Sequence, residues 1–238
     1  MKIKAIILAR GGSKGIPNKN IMDFCGKPLI QWTIEQCKGS KYIGDCIGMN
    51  DNIYVSSDSS KILKVAIDNR VLIVDRPDNI SEDTSTSEEA IAHWLELFKI
   101  DCDYVVFLQV TSPLRTSEDI DNAIETIINT GADSLYSACK LDDYCIWNNK
   151  NESITYDYVY RGRRQDKESF YLENGSIYVF KPYVCFKGGF YSSDYNKLHG
   201  NRLSGEITRY IMPFWKSYEI DEPDDIEICE YYMKRKIL

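Results

Sequence analysis

Ile3-Lys4-Ala5-Ile6-Ile7-Leu8-Ala9-Arg10-Gly11-Gly12-Ser13-Lys14-Gly15-Ile16-Pro17-Asn18-Lys19-Asn20 is the stretch on which the reading of this 238-residue chain turns. Ile3 to Ala9 is short, apolar and β-branched, and Arg10-Gly11-Gly12 ends it, which is the pattern of a buried strand. The glycines let the backbone approach an anion and aim N–H groups at it. Arg10, Lys14 and Lys19 add three cations within ten residues. The spacing fits neither GxxxxGK[ST] nor GxGxxG, so this is not a P-loop and not a dinucleotide fingerprint. A basic glycine loop after a first strand still points to a nucleotide phosphate.

Working outward, strand and helix patterns alternate. Pro28 to Cys37 carries apolar residues at helical spacing, with Pro28 near the first turn. Asn52 to Ser56 reads as a strand, Ser59 to Asn69 as a helix and Val71 to Val74 as a strand. Thr86 or Ser87 through Phe98 is a helix, and Glu88 and Glu89 suit its positive end. Tyr104 to Gln109 is a buried strand. Ser117, as N-cap, opens a helix to Asn129, and Asp133 to Cys139 is a strand. This alternation predicts a single three-layer, Rossmann-like α/β domain over 1–238: a mostly parallel sheet with helices on both faces and ligands at the carboxyl ends of its strands. From 140 to 172 the rhythm lapses into Tyr, Asn, Asp and Arg. That segment reads as an inserted arm whose exposed aromatics suit a dimer interface. Ser176 to Phe180 and Ile207 to Trp215 read as strands, and Pro223 to Lys234 as a terminal helix.

Composition narrows the function classes. Hydrophobic residues make up 43% of the chain, enough for a core without disulfides, and the net charge of -7 disfavours a nucleic-acid or polyanion binder. The eight cysteines form no CxxC pair and the histidines are His93 and His199 alone, which disfavours zinc and thioredoxin-like centres. No secretory signal is read at the N-terminus and no run nears the roughly 20 apolar residues of a membrane span. A cytoplasmic protein is expected.

The loop LARGGSKGIPNKN resembles the signature of the acylneuraminate cytidylyltransferases, the CMP-sialic acid synthetase family. Further blocks match in order: Val55 to Asp58, Arg76-Pro77, Asp83 to Ser87, Leu108 to Arg115, Arg163-Arg164-Gln165, Glu173 to Tyr178 and Glu219-Ile220-Asp221. Together they span nearly the whole chain. The resemblance implies transfer of CMP from CTP to a nonulosonic acid, with release of pyrophosphate, in a homodimer.

It also implies that Arg10, Gly11, Gly12, Ser13, Lys14 and Lys19 hold the triphosphate, with Arg76, Thr86 and Ser87 near the cytidine. By residue type alone, Arg76-Pro77 is equally a turn and Thr86 and Ser87 are helix caps. Gln109, at a strand end, is implied to contact the sugar, and Arg164 to reach a partner subunit's site. Tyr178 is implied to line the sugar pocket, although a strand tyrosine is as readily core. Arg115 is expected to brace its loop. Leu172 departs from the basic residue that many members carry, which leaves the identity of the sugar open.

Glu219 and Asp221 are two apart on an expected strand ending at Asp221, so both carboxylates would face one way, an arrangement that suits Mg²⁺. The family often has Asp-x-Asp there. Glu219 is one methylene longer, which leaves Asp221 the firmer ligand. Activation of legionaminate, pseudaminate, Kdn or Kdo is the nearest alternative, and a non-catalytic nucleotide-binding protein is the alternative of a different class.

Overall fold

A computed structural model describes residues 1–44, 48–142, 144–160, 162–166, 168–186 and 201–238; the side chains of Arg164 and Phe186 lie outside the described set. The elements in chain order are β1 (Ile3–Leu8), a small hairpin of β2 (Asp23–Phe24) and β3 (Lys27–Pro28), α1 (Leu29–Lys38), β4 (Asn50–Ser57) and α2 (Ser60–Asp68). There follow β5 (Val71–Asp75), α3 (Ser87–Leu97), β6 (Tyr104–Gln109), α4 (Ser117–Thr130), β7 (Ser134–Leu141), β8 (Phe170–Phe180), β9 (Ile207–Met212) and α5 (Pro223–Tyr232).

Seven strands form one sheet in the order β5-β4-β1-β6-β8-β7-β9. β1 pairs in parallel with β4 on one side and β6 on the other, with Leu8 level with both Ser56 and Gln109. The chain runs outward from β1 through β4 to β5, then returns to place β6 on the opposite flank. That reversal opens a crevice at the carboxyl ends of β1 and β6. β8 is the exception to the parallel rule: it lies antiparallel to both β6 and β7.

Alternation along the central strands divides two cores. Ile3, Ala5 and Ile7 of β1 and Val106 and Leu108 of β6 face α1, α2, α4 and α5. Ile6, Val105 and Phe107 face α3 and the 182–186 turn, where Ile91, Trp94, Val184 and Cys185 complete a smaller core. Both faces are covered, as the sequence predicts, though unequally. Cys37, Cys139, Cys185 and Cys229 are free thiols buried as small apolar groups.

Several boundaries differ from the sequence reading. Thr116, not Ser117, caps α4; its side chain and Asp119 form a reciprocal capping box. β8 starts at Phe170, six residues before the expected Ser176, because Ala138–Leu141 of β7 pairs with Phe170–Glu173. β9 ends at Met212, since Pro213 follows and residues 214–217 form a 3₁₀ turn. The segment 140–172 thus has a β-paired base. Beyond it, Trp147 packs on Tyr156 and Tyr158, with ring centres 5.8 and 5.6 Å away. Tyr158, Val159 and Tyr160 are exposed. No helix among the described residues is long and apolar enough to cross a membrane.

Candidate active site

The crevice between β1 and β6 is a cleft of about 410 Å³. The loop after β1 supplies Arg10, Ser13, Lys14, Gly15 and Lys19 to it; β6 and its exit supply Phe107, Gln109 and Thr111; the first turn of α3 supplies Ser87. Asp221 and Glu222, from far along the chain, close one end.

Local contacts hold the loop in shape. Asn18 takes the left-handed conformation (φ 55°), one that asparagine tolerates, and turns the chain into the 3₁₀ turn Lys19–Ile21. Lys19 then points back into the site, only 14% exposed at its side chain. Its Nζ donates to the Ile220 carbonyl at 2.8 Å and to Asp221 Oδ1 at 2.9 Å. Asn20 is buried and donates to the Arg10 carbonyl at 2.9 Å. Gly15 passes so near the Asp221 carbonyl that a Cβ would come within 2.6 Å of it, so only glycine lets the two backbones meet.

The other loop cations are tied to Asp83. Its Oδ1 accepts from Arg10 Nη1 at 2.8 Å and its Oδ2 pairs with Lys14 Nζ at 2.6 Å. Those bonds, Lys14 first and Arg10 second, hold the Asp83 carboxyl below the usual range. Gly11 N–H donates to Asp58 Oδ1 at 2.8 Å, so this amide is engaged within the protein rather than aimed into the cleft. Gly12 borders open space.

Three expected ligand residues take other places. Arg76 is buried and its Nη2 donates to the Ser56 carbonyl at 3.3 Å, supporting the end of β4 instead of lining the cleft; burial holds its pKa down. Thr86 is the N-cap of α3, accepting from Glu89 N–H in a capping box, while its neighbour Ser87 does reach the cleft. Tyr178 is core: it stacks on Phe107 with ring centres 5.6 Å apart, and its hydroxyl donates to Glu173. Phe107 takes the wall position that the sequence reading gave to Tyr178.

Gln109 lies where its strand end predicts, with Thr111 Oγ1 donating to its Oε1 at 3.4 Å. Beneath it Arg115 is fully buried and donates to the carbonyls of Gln109 (2.7 Å), Ser112 (3.0 Å) and Ser176 (3.1 Å) and to Thr33 Oγ1 (2.8 Å). This is the bracing role expected of it. Arg164 lies in a short 3₁₀ turn, and its side chain is outside the described residues.

The acidic end differs from expectation in one respect. Residues 218–221 are not a strand; Ile220 N–H donates to the Thr111 carbonyl at 2.8 Å and its side chain enters the core. Asp221 is 65% exposed at its side chain and reaches the cleft. Glu219 is turned inward toward Gly175 and Ser112, whose Oγ donates to it at 3.4 Å. Burial, then the charge of Asp221, push the Glu219 carboxyl up to about 7. One open carboxylate beside a phosphate cradle suits a hard cation that completes its shell with water and phosphate oxygens. No group of three or more His, Cys, Asp or Glu that could hold a metal exists among the described residues.

The residues missed in the sequence are Asn20, Asp58, Asp83 and Phe107. Asp58 and Asp83 stand inside the quoted blocks, but their task is to meet residues tens of positions away, which spacing does not reveal.

Residues 4–183 match the family described as cytidylyltransferase. The chain is 32% identical over 240 residues to N-acylneuraminate cytidylyltransferase A of Danio rerio, an alignment covering 98% of this chain and 51% of that protein. It is 34% identical over 189 residues to pseudaminic acid cytidylyltransferase of Campylobacter jejuni, covering 75% and 78% respectively. The chain therefore spans about half the length of the zebrafish protein and most of the bacterial one. Its fold superposes on the CMP:2-keto-3-deoxy-manno-octonic acid synthetase complexed with CTP with a TM-score of 0.68, at 15% identity and full coverage of both chains.

Proposed function

The chain belongs to the cytidylyltransferase family, and on that premise we propose that it transfers CMP from CTP to an N-acylneuraminate-type nonulosonic acid and releases pyrophosphate. The observation that carries the reading is the make-up of one cleft. The cations of the β1 loop stand on one side, Gln109 on the other, and Asp221 closes the end.

In this reading the oxygen of the sugar's anomeric hydroxyl attacks the α-phosphorus of CTP, and the hydroxyl proton is released to water. The new P–O bond forms as the bond to the bridging oxygen of the β-phosphate breaks, and negative charge gathers on the departing pyrophosphate. Arg10, Lys14 and Lys19 stabilise that charge, fixed in place before the reaction. Asp83 occupies Arg10 and Lys14 until then. Both pairs are exposed and screened by solvent, so a triphosphate displaces the carboxylate readily. Asp221 would hold Mg²⁺, which when bound supplies Lewis-acid polarisation of phosphate oxygens. Lys19 positions the Asp221 carboxylate and joins the acidic end to the loop. Gln109 orients the sugar, and Ser87 and the start of α3 face the nucleoside.

A homodimer built on the 140–172 segment extends the proposal, with Arg164 reaching the partner's cleft, where a guanidinium suits the sugar's carboxylate. A cytoplasmic location goes with it. The exposed Tyr158, Val159 and Tyr160 favour an interface there. The likeness to the Campylobacter pseudaminic acid enzyme keeps a second acidic sugar as the nearest alternative substrate.

The test is pyrophosphate release from CTP with Mg²⁺ and a panel of nonulosonic acids. Release with at least one member, abolished in Asp221→Asn, is expected. CTP binding without release for every sugar would favour a non-catalytic nucleotide-binding protein.

A further inference from the structure

Arg202, in the segment leading into β9, is pinned beside the cleft in an unusual setting. Its guanidinium sits 4.6 Å from the centre of the Tyr178 ring and 5.6 Å from that of Phe107. Phe107 is a wall of the cleft, and Tyr178 stacks against it. Nε of Arg202 pairs with Glu88 at 3.1 Å, and Glu88 is the neighbour of Ser87, another cleft wall. The Arg202 side chain is 24% exposed, yet its Nη1 is closed to water and meets no acceptor among the described residues.

A guanidinium carries five N–H donors. Glu88 engages one edge, and the two rings engage the group by cation–π attraction. A donor left dry without an acceptor is rare in a folded protein and calls for an explanation. The triphosphate does not provide one, because its cations come from the β1 loop. Glu88 already balances the positive charge, so a second carboxylate is not the matching ligand. The partner that fits is a neutral acceptor arriving along the Phe107 wall.

We propose that Arg202 is a specificity-determining residue that selects a sugar bearing a neutral hydrogen-bond acceptor, of which the carbonyl of an acylated amine is the simplest form. This rests on the reading of the cleft as a sugar cytidylyltransferase site. For Nη1 to meet that carbonyl the Arg202 fork must turn off the rings toward the Phe107 wall, with its Nε edge held by Glu88. A site built around such a donor rejects the analogue without its acceptor more strongly than an apolar pocket rejects a missing methylene.

The experiment is pyrophosphate release by the full chain with CTP, Mg²⁺ and nonulosonic acids carrying no, one or two acylamino groups. The wild type is expected to prefer an acylated sugar over the non-acylated one by about tenfold or more in kcat/KM. Arg202→Met removes that preference through a rise in sugar KM, with CTP KM unchanged. Arg202→Lys, which keeps the charge but not the fork, falls between the two. Unchanged preference in both variants overturns the proposal while leaving the cytidylyltransferase reading intact. So does an equal rise in the KM of CTP and sugar, because Arg202 would then merely brace α3. A wild type that releases no pyrophosphate with any sugar overturns the parent reading and this proposal with it.

Discussion

Lys19 is the residue on which most of the site converges. It links the β1 loop to Ile220 and Asp221 while facing the cleft. Lys19→Met should lower kcat/KM for CTP turnover by about 100-fold, the scale of losing one fixed group at a developing charge; steady-state kinetics read it. Asp83→Asn should act in the opposite direction. It frees Arg10 and Lys14 from a competing anion, so CTP KM should fall by about two- to fivefold, within the range of an exposed pair. Arg10, Ser13, Lys14, Lys19, Ser87, Gln109 and Asp221, which the family resemblance singles out, line one and the same cleft; for Gln109 the strand end alone was enough to place it there. Arg76 and Tyr178 do not line it. A buried arginine and a cleft arginine look alike in sequence, and Phe107 and Tyr178 are register partners on the same sheet face, where Phe107 borders the cleft and Tyr178 packs against it.

At the level of elements, α3 presents Ser87 to the cleft, and its start depends on the Thr86–Glu89 capping box. Thr86→Ala should cost about 1 kcal/mol in urea unfolding, because it strands an N–H at the helix end. His93, on the same helix, has its pKa lowered, by burial first and by Arg76 second. The unfolded chain therefore takes up a proton near the ordinary histidine value, while the folded protein resists it until lower pH. Stability from this group is complete above that window and declines as pH falls through it. Wild type should thus lose more stability than His93→Gln between pH 7.5 and 5, measured by denaturant midpoints. Helix and strand periods placed most elements to within two residues. Two failures have tertiary causes: β8 is lengthened by pairing with β7, and the 218–221 segment has no ladder partner among the described residues, its backbone–backbone bond being Ile220–Thr111. The early end of β9 is local, set by Pro213.

Across the whole molecule, Arg115 ties together α1, the exit of β6 and β8 through four partner residues, with no solvent contact. Arg115→Met would leave those acceptors without a donor. A loss of about 3 kcal/mol or more is expected, read as a drop in unfolding midpoint together with weakened sugar binding through Gln109. The central claim is that this cleft is a CTP site organised by the β1 loop. Calorimetric titration of the purified chain with CTP and Mg²⁺ tests it most directly, with ATP and GTP as comparisons and Lys19→Met as the variant. Saturable binding of CTP in preference to the purine nucleotides is expected, weakened about tenfold or more by Lys19→Met. No CTP binding by the wild type, or binding indifferent to Lys19, would contradict it.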